Sequence, residues 1–198
     1  LGTWKSEPEQ VYHAVRAALE VGYRHVDCAA IYQNEEEVGR ALQDAFAAGD
    51  VSREDVWITS KLWNDSHLVD DVRPALEASL QKLRLEYLDL YLIHWPVALR
   101  PGVVFPATAE DFLSLRDAPL EATWEAMLSL REAGLARQVG VSNFSKGQIL
   151  RVRDATGELP AVNQIELHPY LQQDRLLEAC GELGVAVTSG DAVCRAVL

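Results

Sequence analysis

Val56-Trp57-Ile58-Thr59-Ser60-Lys61-Leu62-Trp63 is the stretch whose reading decides the fold. The run is apolar and β-branched, the composition of a strand buried in a sheet. It closes on a lysine, with a tryptophan just beyond. Most lysines at strand ends extend a flexible stem into water. One that stays buried needs a partner, because an isolated ammonium is too costly to remove from solvent. The other strands therefore decide whether Lys61 is ordinary.

Working outward, Ser6-Glu7-Pro8-Glu9 has the form of a helix start, with Ser6 as N-cap, Pro8 in the first turn and Glu9 closing a capping box. Val11, Val15, Ala18 and Leu19 follow at helical spacing, and Gly22 ends that helix. Strands are expected from Tyr23 to Cys28, Val56 to Lys61, Tyr87 to Trp95, Ala136 to Ser142, Ala161 to Leu167 and Val185 to Thr188. Helical patterns separate them at 35–46, 70–83, 120–133, 146–156 and 175–183. The Tyr87 to Trp95 run is almost wholly apolar, as a strand covered on both faces should be. A long irregular connection, 96–118, follows it, and loops of that length are often functional.

Six strands alternating with helices imply βαβ units and a parallel sheet. An open doubly wound sheet usually carries a glycine-rich turn after its first strand. Here that turn is Asp27-Cys28-Ala29-Ala30, and no G-x-G-x-x-G occurs. The expected fold is an α/β (β/α)8 TIM barrel in incomplete form, with about six βα units where a whole barrel takes about 250 residues.

Composition narrows the function. The chain has 198 residues, 48% of them hydrophobic, enough to bury a core as one domain, 1–198. Its net charge of −12 argues against nucleic acid and anionic membrane as partners. No apolar run approaches the ~20 residues of a membrane helix, and no signal-peptide pattern opens the chain. Cys28, Cys180 and Cys194 read as free thiols in a reducing, cytoplasmic compartment. A start at Leu1 suggests that sequence upstream is missing.

In a barrel, chemistry sits at the carboxyl ends of the strands. Here those ends carry Asp27 (with Tyr32 beyond it), Lys61, His94-Trp95, Ser142-Asn143, and Asn163-Gln164 followed by Glu166 and His168. Each has a plain alternative: Asp27 as a helix cap, His94 as a satisfied core histidine. Successive strand ends that are all polar are harder to dismiss, since buried polar groups must find one another. A phenol with pKa near 10 is a poor acid at neutral pH. A neighbouring ammonium lowers that value, and a carboxylate keeps the ammonium charged. Asp27, Lys61 and Tyr32 would thus form a proton-donating phenol, with His94 donating a hydrogen bond to a carbonyl oxygen. Trp4, Trp63 and Trp95 would supply apolar walls. Such a site suits addition of hydride to a carbonyl.

The segments Gly22 to Glu35, Thr59 to Trp63, Leu88 to Pro96, Val139 to Phe144 and Asn163 to Tyr170, in that order and separation, resemble the aldo-keto reductases, most closely the aldehyde and aldose reductase branch. The similarity runs from about Leu1 to Thr188. The resemblance implies an NADPH-dependent reductase of aldehydes and ketones that uses no metal. It implies a tetrad of Asp27, Tyr32, Lys61 and His94 with Tyr32 as general acid. Asp27, Ser142, Asn143 and Gln164 match cofactor contacts, the last three at the nicotinamide carboxamide. Trp4, Trp63 and Trp95 match the pocket lining, and the long loop would cover the pocket.

The chain departs from the pattern after Thr188. The family continues with an aromatic residue and a serine-proline-leucine-glycine turn, whereas this chain reads Ser189-Gly190-Asp191-Ala192-Val193, an atypical tail over 189–198. Gly190 stands where a tyrosine would stack on the nicotinamide. Two strands, and the basic segment for the adenosine 2′-phosphate, are expected to be missing. The expectation is a fragment, a frame-shifted product or a splice product whose full-length parent is the active, monomeric enzyme. Exposed strand edges would let this chain self-associate. The alternatives are a non-catalytic barrel with a binding or regulatory role, and a metal-dependent hydrolase using Asp27, His94 and His168, which the wide spacing of those ligands disfavours.

Overall fold

The alternation of apolar strands and amphipathic helices builds one parallel sheet. The computed structural model describes residues 1–7 and 9–190. The strands are β1 (His25–Asp27), β2 (Trp57–Leu62), β3 (Leu88–Ile93), β4 (Ala136–Ser142), β5 (Val162–Ile165) and β6 (Ala186–Ser189). Between and before them run α1 (Gln10–Glu20), α2 (Glu35–Ala48), α3 (Val69–Leu83), α4 (Leu120–Glu132), α5 (Lys146–Thr156) and α6 (Asp174–Leu183). The sheet order is β1-β2-β3-β4-β5-β6, every pair parallel. The result is a curled half-barrel, an incomplete (β/α)8 fold. Among the described residues no helix is long and apolar enough to cross a membrane.

Strands shorten relative to their apolar runs because the flanking residues turn into loops. β3 is buried at every position, as its composition requires. The core lies between the sheet and the helices, around Val15, Leu42, Leu76, Tyr91, Trp124 and Ile149. Gly39 lets α2 and α3 touch, since a Cβ there would lie 2.3 Å from the Lys82 carbonyl oxygen. Cys28 and Cys180 are buried free thiols. Cys194, like most of the tail beyond Ser189, lies outside the described residues.

Two expectations change. The capping box at Ser6 is not formed: α1 begins at Gln10, and Glu9 sits at φ 64°. That left-handed conformation is incompatible with a place inside the first turn. The Glu9 N–H instead donates to Glu37 Oε2 (2.8 Å) and its carboxylate takes Arg40 (2.9 Å), so α2 sets where α1 starts. Pro8 lies outside the described residues. The strand tally also missed a segment, because Gly2 bridges Asp27 in parallel. The Asp27 N–H donates to the Leu1 carbonyl (2.8 Å) and the Thr3 N–H to that of Asp27 (3.1 Å), so the first three residues cover the free edge of β1.

At the amino end of the sheet, Asp89 of β3 is 1% exposed. Its carboxylate accepts from Arg53 (2.8 Å), the Ile58 N–H (2.8 Å) and Arg137 (3.0 Å). Both guanidiniums lie on the Tyr87 ring, at 4.1 and 4.3 Å. Removing the carboxylate leaves a largely buried guanidinium without its counter-ion and a strand N–H without its acceptor. Asp89→Ala is expected to lower the unfolding free energy by roughly 3 kcal/mol, read as a drop in the urea midpoint at unchanged slope.

Candidate active site

Lys61 is 1% exposed, so the question posed by its strand has an answer. Successive residues of a strand face opposite sides of the sheet, so Lys61 enters the barrel interior while Ser60 faces the helices. The Lys61 ammonium donates to Asp27 Oδ1 (2.5 Å) and to the Cys28 carbonyl (2.7 Å). Asp27 Oδ2 accepts from Gln164 Nε2 at 2.8 Å, a bond that crosses the interior from β5 to β1. Burial is the largest single influence and opposes the charge on Lys61, but Asp27, Tyr32 and Cys28 together outweigh it and the ammonium's pKa lies above its ordinary value.

Tyr32 ends a short 3-10 turn, Ala30–Tyr32, that follows β1. The Lys61 Nζ lies 5.2 Å from its ring centre. Burial pushes the phenol up, Lys61 pulls it down, and the net direction is upward. This corrects the expectation that the lysine leaves the phenol more acidic than usual. In this arrangement desolvation wins, and Lys61 limits the rise. His94 follows β3, its ring edge-on to Tyr32 (5.9 Å between centres) and to Trp63 (5.1 Å). Burial first, then Lys61 and His67, lower its pKa to about 3. The imidazole is therefore neutral at pH 7 and can donate one N–H.

Ser142, Asn143 and Gln164 gather on the other side of the cleft. Ser142 Oγ donates to the Gln164 carbonyl (2.8 Å), while Asn143 Nδ2 donates to the His94 carbonyl (3.0 Å) and to Ser142 Oγ (3.1 Å). Asn143 holds φ 62°, a left-handed turn that asparagine tolerates better than most residues. With both amide donors of Asn143 and one of Gln164 committed to protein acceptors, their carbonyl oxygens remain to accept. That set complements the NH2 of a carboxamide, so the residues fit a nicotinamide.

These groups open on a cleft of about 310 Å³ lined by Trp4, Tyr32, Trp63, His94, Trp95 and Gln164, among others. The sequence reading missed Phe105, whose ring lies 6.4 Å from Trp63. The Trp63 indole N–H anchors the same loop through the Val104 carbonyl (2.9 Å). The long connection was the available signal, but nothing in its pattern singled out Phe105. Asp111 caps a short turn through the N–H groups of Ala107 and Thr108, and the Glu110 carbonyl accepts from Arg100. Gly190 also lines the cleft, and a Cβ there would make ordinary contact with Gln164 at 3.5 Å. His168 stays at the rim, paired with Glu166 (3.1 Å), and does not join Asp27 and His94. Among the described residues no group of three His, Cys, Asp or Glu side chains could hold a metal ion.

Fold and cleft agree with the family comparison: the chain belongs to the aldo/keto reductase family, whose model matches residues 1–194. It is 52% identical to an aldo/keto reductase of Synechocystis over 189 residues, 96% of this chain and 58% of that protein. It is 48% identical to human aldo-keto reductase family 1 member A1, over 96% of this chain and 59% of that protein. Among solved structures, the aldose reductase of Schistosoma japonicum superposes with a TM-score of 0.90 at 44% identity, covering 96% of this chain and 63% of that one. A Bombyx mori aldo-keto reductase in complex with NADP superposes with a TM-score of 0.85 at 44% identity, covering 96% and 60%. The chain thus spans about three-fifths of the length of these relatives.

Beside the cleft, His67 is 2% exposed and its Nε2 has no partner among the described residues. Burial alone lowers its pKa to about 4 from the ordinary 6.5. Below pH 6.5 the unfolded chain binds a proton at this residue that the folded chain refuses, so stability present at neutral pH is lost as pH falls from 6.5 toward 4. The loss assignable to His67 is on the order of 3 kcal/mol. Urea midpoints measured across that range should fall less steeply for His67→Gln, and identical slopes would remove the assignment.

Proposed function

We propose that the protein reduces aldehydes and ketones to alcohols with NADPH, residues 1–198 forming part of one oxidoreductase domain. One observation carries the reading: a buried ammonium, neutralised by Asp27, lies against the ring of Tyr32 at the floor of an aromatic cleft. Further support comes from family membership and from the NADP named for the Bombyx mori relative.

Ser142, Asn143 and Gln164 would hold the carboxamide of the cofactor, with Asp27 close by. A reduced nicotinamide held there would supply hydride to the carbonyl carbon. His94, neutral, directs the carbonyl oxygen toward Tyr32 by donating its N–H. As the oxygen gains negative charge, Tyr32 gives it the phenolic proton, and Lys61 stabilises the phenolate left behind. Asp27 keeps Lys61 charged throughout. Trp4, Trp63, Trp95 and Phe105 form walls suited to an apolar or aromatic aldehyde.

The test is reduction of 4-nitrobenzaldehyde by the protein carrying this chain, followed as loss of NADPH absorbance. Tyr32→Phe removes the acid without changing the ring. It should lower kcat by about 10²- to 10⁴-fold while NADPH affinity, read by fluorescence quenching, stays within about two-fold. Turnover unchanged in Tyr32→Phe would remove the proton-donor assignment, and a folded wild type that neither binds NADPH nor reduces the aldehyde would remove the reductase itself.

A further inference from the structure

The turn bearing Tyr32 has no side-chain cap of its own. It is held at both feet by other elements. At the near foot, the Cys28 N–H donates to the Thr59 carbonyl (2.8 Å) and the Cys28 carbonyl accepts from Lys61 (2.7 Å). At the far foot stand Asn34 and Glu35, which the chemistry above leaves unused. Asn34 Nδ2 donates to the Thr3 carbonyl (2.8 Å), and Thr3 is itself bonded to the Asp27 carbonyl through N and Oγ1.

Glu35 is the first residue of α2 and is 1% exposed, whereas Glu36 beside it is exposed. Its Oε1 accepts from Ser60 Oγ at 2.6 Å and its Oε2 from Ser79 Oγ at 3.0 Å. A carboxyl group in that position is expensive to desolvate, and burial raises its pKa against the pull of the two hydroxyls. Helix propensity or capping would be served equally by an exposed acid in the first turn. What the buried one adds is a three-way tie. Ser60 is the strand residue immediately before Lys61, Ser79 lies on α3, and Glu35 lies three residues after Tyr32. The tie spans the sheet from behind, on the face opposite the ammonium.

We propose that Glu35, through Ser60 and Ser79, is a positioning residue that fixes the Tyr32 phenol relative to the Lys61 ammonium; this rests on the reductase reading above. Glu35 touches neither the cleft nor the reacting atoms. Without the tie, the start of α2 is free to slide along β2, and the phenol moves with it. Displacement of a reacting group by about 1 Å can lower a rate about 10²-fold.

Glu35→Ala, Glu35→Gln and Ser60→Ala in the protein carrying this chain test the inference through amide hydrogen exchange and steady-state kinetics. The amides of Tyr32 and Gln33, which close the turn onto Ala29 and Ala30, should exchange at least about ten-fold faster in Glu35→Ala, while those of β3 and β4 stay within about two-fold. Under the same change kcat should fall about ten- to a hundred-fold with KM for aldehyde little altered. Glu35→Gln, whose amide can still meet both hydroxyls, should restore most of both. If Glu35→Ala does not fold, Ser60→Ala carries the same comparison, with smaller effects of the same pattern. Unchanged exchange at Tyr32 and Gln33, or acceleration spread equally over β3 and β4, overturns the proposal. A wild type without reductase activity would sink the reductase reading, and the exchange pattern would still decide whether Glu35 holds the turn.

Discussion

A single buried ammonium organises this structure. Leaving Lys61 unpaired in the interior would cost more than any one side chain can return by packing, so its neighbours are constrained. Asp27 must end β1 within reach, the Cys28 carbonyl must turn inward, and Gln164 must extend across from β5 to occupy the second carboxylate oxygen. Those three demands fix the relative height of β1, β2 and β5. They also explain why polar residues gather at the carboxyl ends of the strands, while β3 is buried along its whole length.

The two faces of β2 divide the work. Thr59 and Lys61 belong to the interior, where charge is balanced by a carboxylate. Ser60 belongs to the layer under the helices, where the buried Glu35 carboxylate accepts from two hydroxyls. The same burial has opposite effects on the groups of the cleft. It lifts the Tyr32 phenol and depresses the His94 imidazole, so that both are uncharged at neutral pH. Lys61 opposes the first shift and reinforces the second. A site with one fixed ion pair and two neutral donors is the electrostatic consequence.

Much of this was legible in the sequence, because periodicity and strand-end polarity are local properties. The six strands, the helices between them, and the polar strand ends follow from patterns within ten or so residues. What escaped depends on tertiary contact. Ser6 to Glu9 reads as a capping box and does not form one, whereas the box at Ser145 and Gln148, not singled out from the sequence, does form. The box at Ser6 is overruled by Glu37 and Arg40 of a neighbouring helix. Leu1 to Thr3 is too short to show alternation, so its pairing with β1 is invisible until Asp27 is placed. Glu35-Glu36-Glu37 looks like a solvated acidic first turn, and no spacing rule says which of the three will be buried. The sign of the Tyr32 shift was likewise a contest between charge and desolvation that composition cannot weigh.

The polar groups of the cleft are also bonded to one another before any ligand arrives. Ser142 leans on the Gln164 backbone, Asn143 on the His94 backbone, and the Gln164 amide on Asp27. Each bond fixes a donor of a residue that lines the cleft, so orientation is settled by the fold. Dipoles aimed in advance need not reorganise as charge develops, which is where a folded protein gains most over water. The chain from Asn143 through His94 and from Gln164 through Asp27 to Lys61 therefore links the proposed carboxamide contacts to the proposed proton donor by hydrogen bonds and ring contacts alone.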